Sequence, residues 1–306
     1  MEALEQIKER IQSFLEALDS PLTLELSKHL QSGKMLRSKL VLNIAGVSEE
    51  SILLCAVVEM IQSASLLHDD VIDNSLMRRS KPSINAIAGD KNAIMLGDVF
   101  YSKAFCELVA FHKEYPQIPH IIADSVVRLA LGEIEDVYLS QSFNTDEKKY
   151  LAMIEKKTAA LIESTAFAAA LLAKKSPQDA KKFRNYGRNL GIAFQIIDDI
   201  LDITATQEKL GKPILNDFKE GKTTLPYIYL YHSLQEQDKE RLKKSFKQEI
   251  SQDEMVWILQ QFQQSDAIKR SFRLAKNLGE AGMQSISDQS CNKLIAIMQE
   301  MIDRDF

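Results

Sequence analysis

Apolar positions recur at spacings of three and four along most of the chain. Leu4, Ile7, Ile11, Phe14 and Leu18 form the first such stripe, the pattern of one buried face of an α-helix. Asp19-Ser20-Pro21 reads as a stop, with the proline opening the next helix. The same periodicity predicts helices over about 22–31, 35–46, 49–73, 91–113, 118–142, 146–175, 178–204, 222–235, 238–248, 252–264, 266–281 and 286–304. The segments 49–73, 118–142, 146–175 and 178–204 are apolar on most faces, which predicts central, buried helices. The last eighty residues are more polar and predict a peripheral helical layer.

Composition reinforces this reading. The 306 residues contain 11 Gly and 7 Pro, about half the average combined usage. Leu22–Lys81, His120–Ser176 and Tyr227–Phe306 are free of proline, as long helices require, because an interior proline costs about 3 kcal/mol. A β-sandwich or barrel would need turn residues every 8–12 positions or so. The expectation is an all-α chain. With no linker, low-complexity tract or repeat to divide it, residues 1–306 read as a single large helical domain.

Charge and cysteine usage exclude several classes. A net charge of −5 gives no support for nucleic-acid binding. Cys55, Cys106 and Cys291 lie far apart, without CxxC, which argues against a disulfide framework or a zinc site and suits the cytoplasm. The N-terminus lacks an apolar signal core. The apolar run Thr158–Ala173 carries Glu163 and falls short of the ~20 residues of a span, so no transmembrane segment is expected.

One acidic pattern occurs twice. Leu66-Leu67-His68-Asp69-Asp70-Val71-Ile72-Asp73 and Ile196-Ile197-Asp198-Asp199-Ile200-Leu201-Asp202 both carry DDxxD after an apolar pair. On a helix, Asp69/Asp73 and Asp198/Asp202 each lie one turn apart and point the same way. Like charges at that spacing repel, so a cation is needed to offset them. Oxygen donors without thiols favour a hard ion, and sparse protein ligands favour Mg²⁺, which keeps waters and takes phosphate oxygens. Arg78, Arg79 and Lys81 follow the first cluster, and Lys209, Lys212, Lys219 and Lys222 the second. Metals flanked by fixed cations describe a site for a highly charged anion, with diphosphate the obvious candidate. Gly221-Lys222-Thr223 imitates the end of a P-loop, but the required earlier glycine falls at Asn216. His29, His112, His120 and His232 sit in unrelated contexts and receive no role.

From about Gly33 to Pro226 the chain resembles the trans-polyprenyl diphosphate synthase family, of the farnesyl/octaprenyl type. The resemblance rests on HDDVIDNSLMRRSKP, AIMLGD ending at Gly97-Asp98, LGE at Gly132-Glu133, Lys157-Thr158, AFQIIDDILD and GKPILNDFKEGKTTLP, in order. It implies that Asp69, Asp73 and Asp198 ligate Mg²⁺ (Mn²⁺ substituting), with Asp70, Asp199 and Asp202 assisting. Arg78, Lys157 and Lys212 would hold an allylic diphosphate, with Lys222 nearby. Lys34, Arg37, Gln62 and Arg79 would hold isopentenyl diphosphate, and Thr158 and Gln195 would face the developing allylic cation. The family's GGKxxRP element is here Ser32-Gly33-Lys34-Met35-Leu36-Arg37-Ser38, which keeps both cations but loses one glycine and the proline. Gln62 stands where many bacterial relatives have His, and Asp136 where Gln is often found.

The resemblance also implies an isoprenoid synthase fold with a deep central cavity, a homodimer, and condensation of isopentenyl diphosphate onto a primer such as farnesyl diphosphate. Short-chain relatives block the cavity with aromatics four and five residues before the first aspartate. Those positions are Ser65 and Ala64 here, both small. The twenty or so residues of helix above Asp69 span roughly 30 Å, which predicts a long product of about C30–C40, octaprenyl favoured, of the kind used for quinone side chains. A short-chain farnesyl or geranylgeranyl synthase, a terpene cyclase and a non-catalytic subunit are the alternatives.

Overall fold

With proline confined to seven positions, little interrupts helix formation. The computed structural model describes residues 2–204, 214–289 and 291–303. Its first helices are α1 (Glu2–Glu16), α2 (Pro21–Ser27), α3 (Leu36–Ala45) and α4 (Glu49–Ile72). A hairpin of β1 (Met77–Arg78) and β2 (Lys81–Pro82) follows, then α5 (Ile84–Ala88), α6 (Asp90–Leu108), a 3₁₀ turn over Val109–His112 and α7 (Gln117–Leu139). Next come α8 (Glu147–Ile154), a π-helical turn over Glu155–Ala159, α9 (Ala160–Leu172) and α10 (Pro177–Thr204). The remainder is α11 (Asn216–Lys219), α12 (Leu225–Ser233), α13 (Glu236–Ser245), α14 (Gln252–Gln264), α15 (Ala267–Ser285) and α16 (Asn292–Ile302).

The chain forms two compact units. One comprises residues 1–126 and 164–184, the other 127–163 and 185–306.

In the first unit α4 packs on α6, α1 and α3. Leu54, Val57, Val58, Ile61 and Ala64 of α4 and Phe100 and Ala104 of α6 are buried; full burial of a large apolar side chain contributes about 1.5–3 kcal/mol. A reciprocal Ser48–Ser51 capping box opens α4, with Glu49 and Glu50 in its first turn. The far end closes in a Schellman motif: Ser75 N–H donates to Asp70 O, and Asn74 N–H, at a left-handed φ of 50°, to Val71 O. The helix therefore stops within its own DDxxD. The hairpin pairs Met77 with Pro82 and Arg78 with Lys81. Its two loop residues, Arg79 and Ser80, both have positive φ (50° and 63°), as a type I′ turn requires.

In the second unit α12 packs on α8 and α15, and α15 on α16. Phe218, Tyr227, Phe143 and Phe246 form an aromatic cluster, with Phe218 stacked on Tyr227 at 4.4 Å. This cluster anchors the segment that carries Lys222.

Three expectations are corrected. The helix expected over 146–175 runs from Glu147 to Leu172 with a π turn inserted at 155–159. The hairpin over 77–82, α5 and α11 had no periodic signal to show them. The last eighty residues are not all peripheral, since Tyr227–Leu230 of α12 are buried. Among the described residues, one helix, α4, is long and apolar enough to cross a membrane; its most apolar window has mean hydropathy 1.6 and is 67% buried.

Candidate active site

The first DDxxD lies in the last turn of α4, where unpaired carbonyls and the negative pole of the helix dipole already disfavour anions. Asp70 is buried and gripped by Arg78, whose Nε lies 2.8 and 2.9 Å from its two oxygens and Nη2 2.7 Å from Oδ1. The Asp70 carbonyl accepts from Asn85 Nδ2, which also reaches Ser75 O, and Ser83 Oγ donates to Ser75 O. These bonds tie the hairpin back onto the helix end. Asp69 and Asp73, one turn apart, are half-buried.

His68 keys α4 to α6. Its Nε2 lies 3.1 Å from Ile94 O and 3.5 Å from Asp98 Oδ1, and its ring meets Tyr101 edge-on at 5.7 Å. A Cβ at Gly97 would stand 2.3 Å from that Nε2. The glycine and aspartate of AIMLGD are thus a seat for the histidine beside the first aspartate.

The Lys34–Arg37 segment shares this unit. Arg79 Nη1 donates to Gln31 O at 2.6 Å and Gln31 Nε2 to Arg78 O at 3.1 Å. A Cβ at Gly33 would lie 2.6 Å from Arg79 Nη2, so the retained glycine admits the guanidinium. Lys34 is exposed and Arg37 half-buried, with an Arg37 Nε that has no partner among the described residues. Burial pushes the Arg37 guanidinium down to about 10, against the nearby Glu59 carboxylate, which raises it. Gln62 is half-buried; Ala64 and Ser65 are buried, and Ser65 Oγ donates to Gln62 O. A pocket of about 40 Å³ opens beside Gln31, Ser63, Leu66, Asp70 and Arg78. The larger groove, about 500 Å³, runs along α1 and the start of α4, with no candidate residue in its walls.

In the second unit the π turn carries Lys157 and Thr158. π turns insert a residue into the helical ladder and recur at functional sites. Lys157 Nζ donates to Asp136 Oδ2 at 2.6 Å and pairs with Glu133 Oε2 at 2.8 Å. Asp136, which replaces the more usual glutamine, therefore makes a charge-assisted bond to this lysine. Thr158 Oγ1 donates to Gln195 Oε1 (2.8 Å), and Gln195 Nε2 to Asp199 Oδ1 (2.9 Å). Tyr150 donates its hydroxyl to the other Asp199 oxygen. Burial first, then the Asp217 charge, raises the Asp199 carboxyl well above the ordinary range, and burial and Asp199 raise Tyr150 likewise.

Asp202 is also buried. Its Oδ2 accepts from Asp217 N–H (3.2 Å) and its carbonyl from Leu215 N–H (2.9 Å). Of the second motif, Asp198 alone is exposed. Lys222 pairs with Glu220 at 3.1 Å, and its N–H donates to Asp217 O. Lys209 and Lys212 lie outside the described residues. Glu59 and Tyr150 are site neighbours that no sequence motif marks.

Among the described residues no group of three or more His, Cys, Asp or Glu side chains could by itself hold a metal. The donor set still fits Mg²⁺, because paired, oxygen-only carboxylates suit an ion that completes its shell with water and phosphate.

Comparison with known proteins decides the family. The sequence model for polyprenyl synthetase matches residues 20–262. The chain belongs to the polyprenyl synthetase family. It is a trans-prenyltransferase of all-α, isoprenoid synthase fold. The crystal structure of octaprenyl pyrophosphate synthase from Helicobacter pylori superposes with a TM-score of 0.92 at 42% identity, covering 99% of each chain. A short chain isoprenyl diphosphate synthase of Methanothermobacter thermautotrophicus is 35% identical over 78% of this chain and 76% of its own length. A polyprenyl synthase from Caulobacter crescentus, solved in complex with calcium and isoprenyl diphosphate, matches with TM-score 0.87 at 28% identity, covering 98% of this chain and 93% of that one. The family thus spans short and long products.

Proposed function

We propose that residues 1–306 act as one polyprenyl synthase domain that adds isopentenyl diphosphate repeatedly to an allylic primer such as farnesyl diphosphate. The product is an all-trans polyprenyl diphosphate of about C30–C40, octaprenyl the best single length, from the helix-length estimate above. The observation that carries the reading is the placing of Asp69 and Asp73 in the last turn and at the C-cap of α4, where the helix dipole makes an acidic pair costly unless a cation is bound.

Asp69, Asp73 and Asp198 would hold Mg²⁺, which when bound supplies positive charge to the departing diphosphate. Arg78, Lys157 and Lys212, with Lys222, would hold the allylic diphosphate. Asp70 orients Arg78, and Asp136 orients Lys157, so both cations are preorganised rather than drawn from solvent. As the C1–O bond breaks, the allylic cation forms beside Thr158 and Gln195. Asp199 and Tyr150 fix the Gln195 amide with its oxygen turned to the Thr158 hydroxyl. The isopentenyl double bond attacks that carbon, a new C–C bond forms, and the proton lost goes to the released diphosphate. Asp70, Asp199 and Asp202 would assist the metal ligands, and Asp202 also holds the start of the 214–219 segment through its Oδ2 and carbonyl. Lys34, Arg37, Gln62 and Arg79 would take the metal-free isopentenyl diphosphate.

The small, buried Ala64 and Ser65 support a long product, as does the 42% identity to an octaprenyl synthase. Val127, Leu131, Ile134 and Tyr138 leave an exposed apolar stripe on α7, which supports a homodimer. Three free cysteines suit the cytoplasm. The purified chain with farnesyl diphosphate, isopentenyl diphosphate and Mg²⁺ tests the reading, with dephosphorylated product sized by reverse-phase chromatography. A ladder ending near C40, abolished by EDTA, is expected. A cyclic hydrocarbon or no product overturns the assignment, and a C15–C20 product overturns the length.

A further inference from the structure

Ser38 stands where the family element closes on proline, and one face of α4 holds all of its polar groups. Its backbone N–H and its hydroxyl both donate to Glu59 Oε1, at 3.1 and 2.7 Å. Its carbonyl accepts from Cys55 Sγ at 3.7 Å. Cys55 and Glu59 are one helical turn apart and share a face. Proline in place of Ser38 would have neither an N–H nor a hydroxyl to offer. Ser38 is fully buried and is the third residue of α3. The N-cap of that helix, Met35, has a left-handed φ of 49° and no side-chain cap. Glu59 therefore supplies from another helix the anionic cap that α3 lacks.

The same carboxylate raises the basicity of Arg37 against its burial and also acts on Arg79. Gln62 follows Glu59 by three residues, on the adjoining part of that face. Glu59 thus touches the segment carrying Lys34 and Arg37 at its point of attachment, and sits electrostatically beside two of its cations.

We propose that Glu59 is the positioning residue of the isopentenyl diphosphate pocket, fixing the Lys34–Arg37 segment through Ser38 where this chain lacks the family proline. The inference rests on the reading that Lys34, Arg37, Gln62 and Arg79 hold that substrate. Two effects of Glu59 oppose each other: its bonds place the cations, and its charge repels a diphosphate. Two charge-assisted hydrogen bonds to a buried partner outweigh repulsion through a site already rich in positive charge. Removing the carboxylate therefore weakens binding.

The test is steady-state kinetics of the full chain with each substrate varied in turn. Glu59→Ala raises the KM for isopentenyl diphosphate about tenfold, the scale of a lost charge-assisted bond, with kcat and the allylic KM within about twofold. Glu59→Gln, which still accepts from Ser38, recovers part of the loss. Arg37→Ala raises the same KM, and Arg37→Ala/Glu59→Ala loses less than the product of the two single losses, because part of the Glu59 effect runs through Arg37. If Glu59→Ala is silent, lowers that KM, or moves both KM values equally while Arg37→Ala is selective, the positioning role is wrong and the pocket stands. Multiplicative losses in the double variant also overturn it. If Arg37→Ala itself is not selective, the pocket is misassigned and the positioning role falls with it.

Discussion

Gly132 of α7 lies where any Cβ would stand 2.3 Å from the backbone nitrogen of Lys157. The missing side chain lets the π turn approach α7, and the next residues on that face, Glu133 and Asp136, then receive the Lys157 ammonium. Backbone cannot yield as a flexible side chain can. Gly132→Ala should therefore lower stability by about 1–3 kcal/mol and, by displacing Lys157, reduce kcat more than either KM. Denaturant unfolding and steady-state kinetics check the two halves separately.

Metal dependence is expected from the acidic pairs that α4 and α10 carry one helical turn apart. Asp69→Ala or Asp198→Ala should each lower kcat by about three orders of magnitude, since each removes charge stabilisation made in the transition state. EDTA should abolish wild-type activity, and Mg²⁺ or Mn²⁺ should restore it. Near-normal turnover in either variant would show that the motif serves another purpose.

His68 and Gly97 should behave as a lock and its seat. Gly97→Ala places a methyl group against the imidazole and should cost about 1–3 kcal/mol. Replacing the imidazole as well, in His68→Ala/Gly97→Ala, should recover part of that stability, because the clash has lost one partner. Thermal unfolding of the two single variants and the double variant reads this directly; strict additivity would contradict the packing.

The residues of α4 one turn above Asp69 should set product length. Ala64→Phe or Ser65→Phe should shorten the product towards C15–C20, at about one isoprene unit per 5.4 Å turn of lost depth. The rate of the first condensation should be retained. Unchanged product length on reverse-phase chromatography would separate the growing chain from this face of α4.

Cys55 provides a pH-dependent check on the α3–α4 junction. Burial pushes its thiol up to about 12, partly countered by its bond to Ser38. Unfolding returns it to the ordinary range, about 8.5. Between these values the folded chain keeps a proton that the unfolded chain releases, so this residue makes stability fall as pH rises. Cys55→Ala should flatten that fall in denaturant titrations from pH 8 to about 10. At pH 8 iodoacetamide should label the exposed Cys106 and spare Cys55 until the chain is unfolded.

Much of this site was legible because helices write their faces into sequence. The stripe from Leu4 to Leu18 and the twin DDxxD spacings need nothing beyond a 3.6-residue period to be read. What escaped depends on partners far away along the chain. Tyr150 meets Asp199 across 49 positions and Ser38 meets Glu59 across 21, and no local pattern announces either pair. The π turn at 155–159 is invisible for the same reason, since Lys157 and Thr158 have ordinary helical neighbours and their setting is made by Gly132. Ser38 could be seen to depart from the family element, but its compensation could not.

The apolarity of α4 also bears on how the chain is made. During synthesis this segment leaves the ribosome before α6, which covers much of it, so a core helix with the composition of a membrane span is first exposed bare to water. Charged flanks blunt self-association of such runs. Here they are Glu49 and Glu50 at one end and Asp69, Asp70 and Asp73 at the other. The aspartates of the first motif would then serve as gatekeepers of the nascent chain before any substrate arrives.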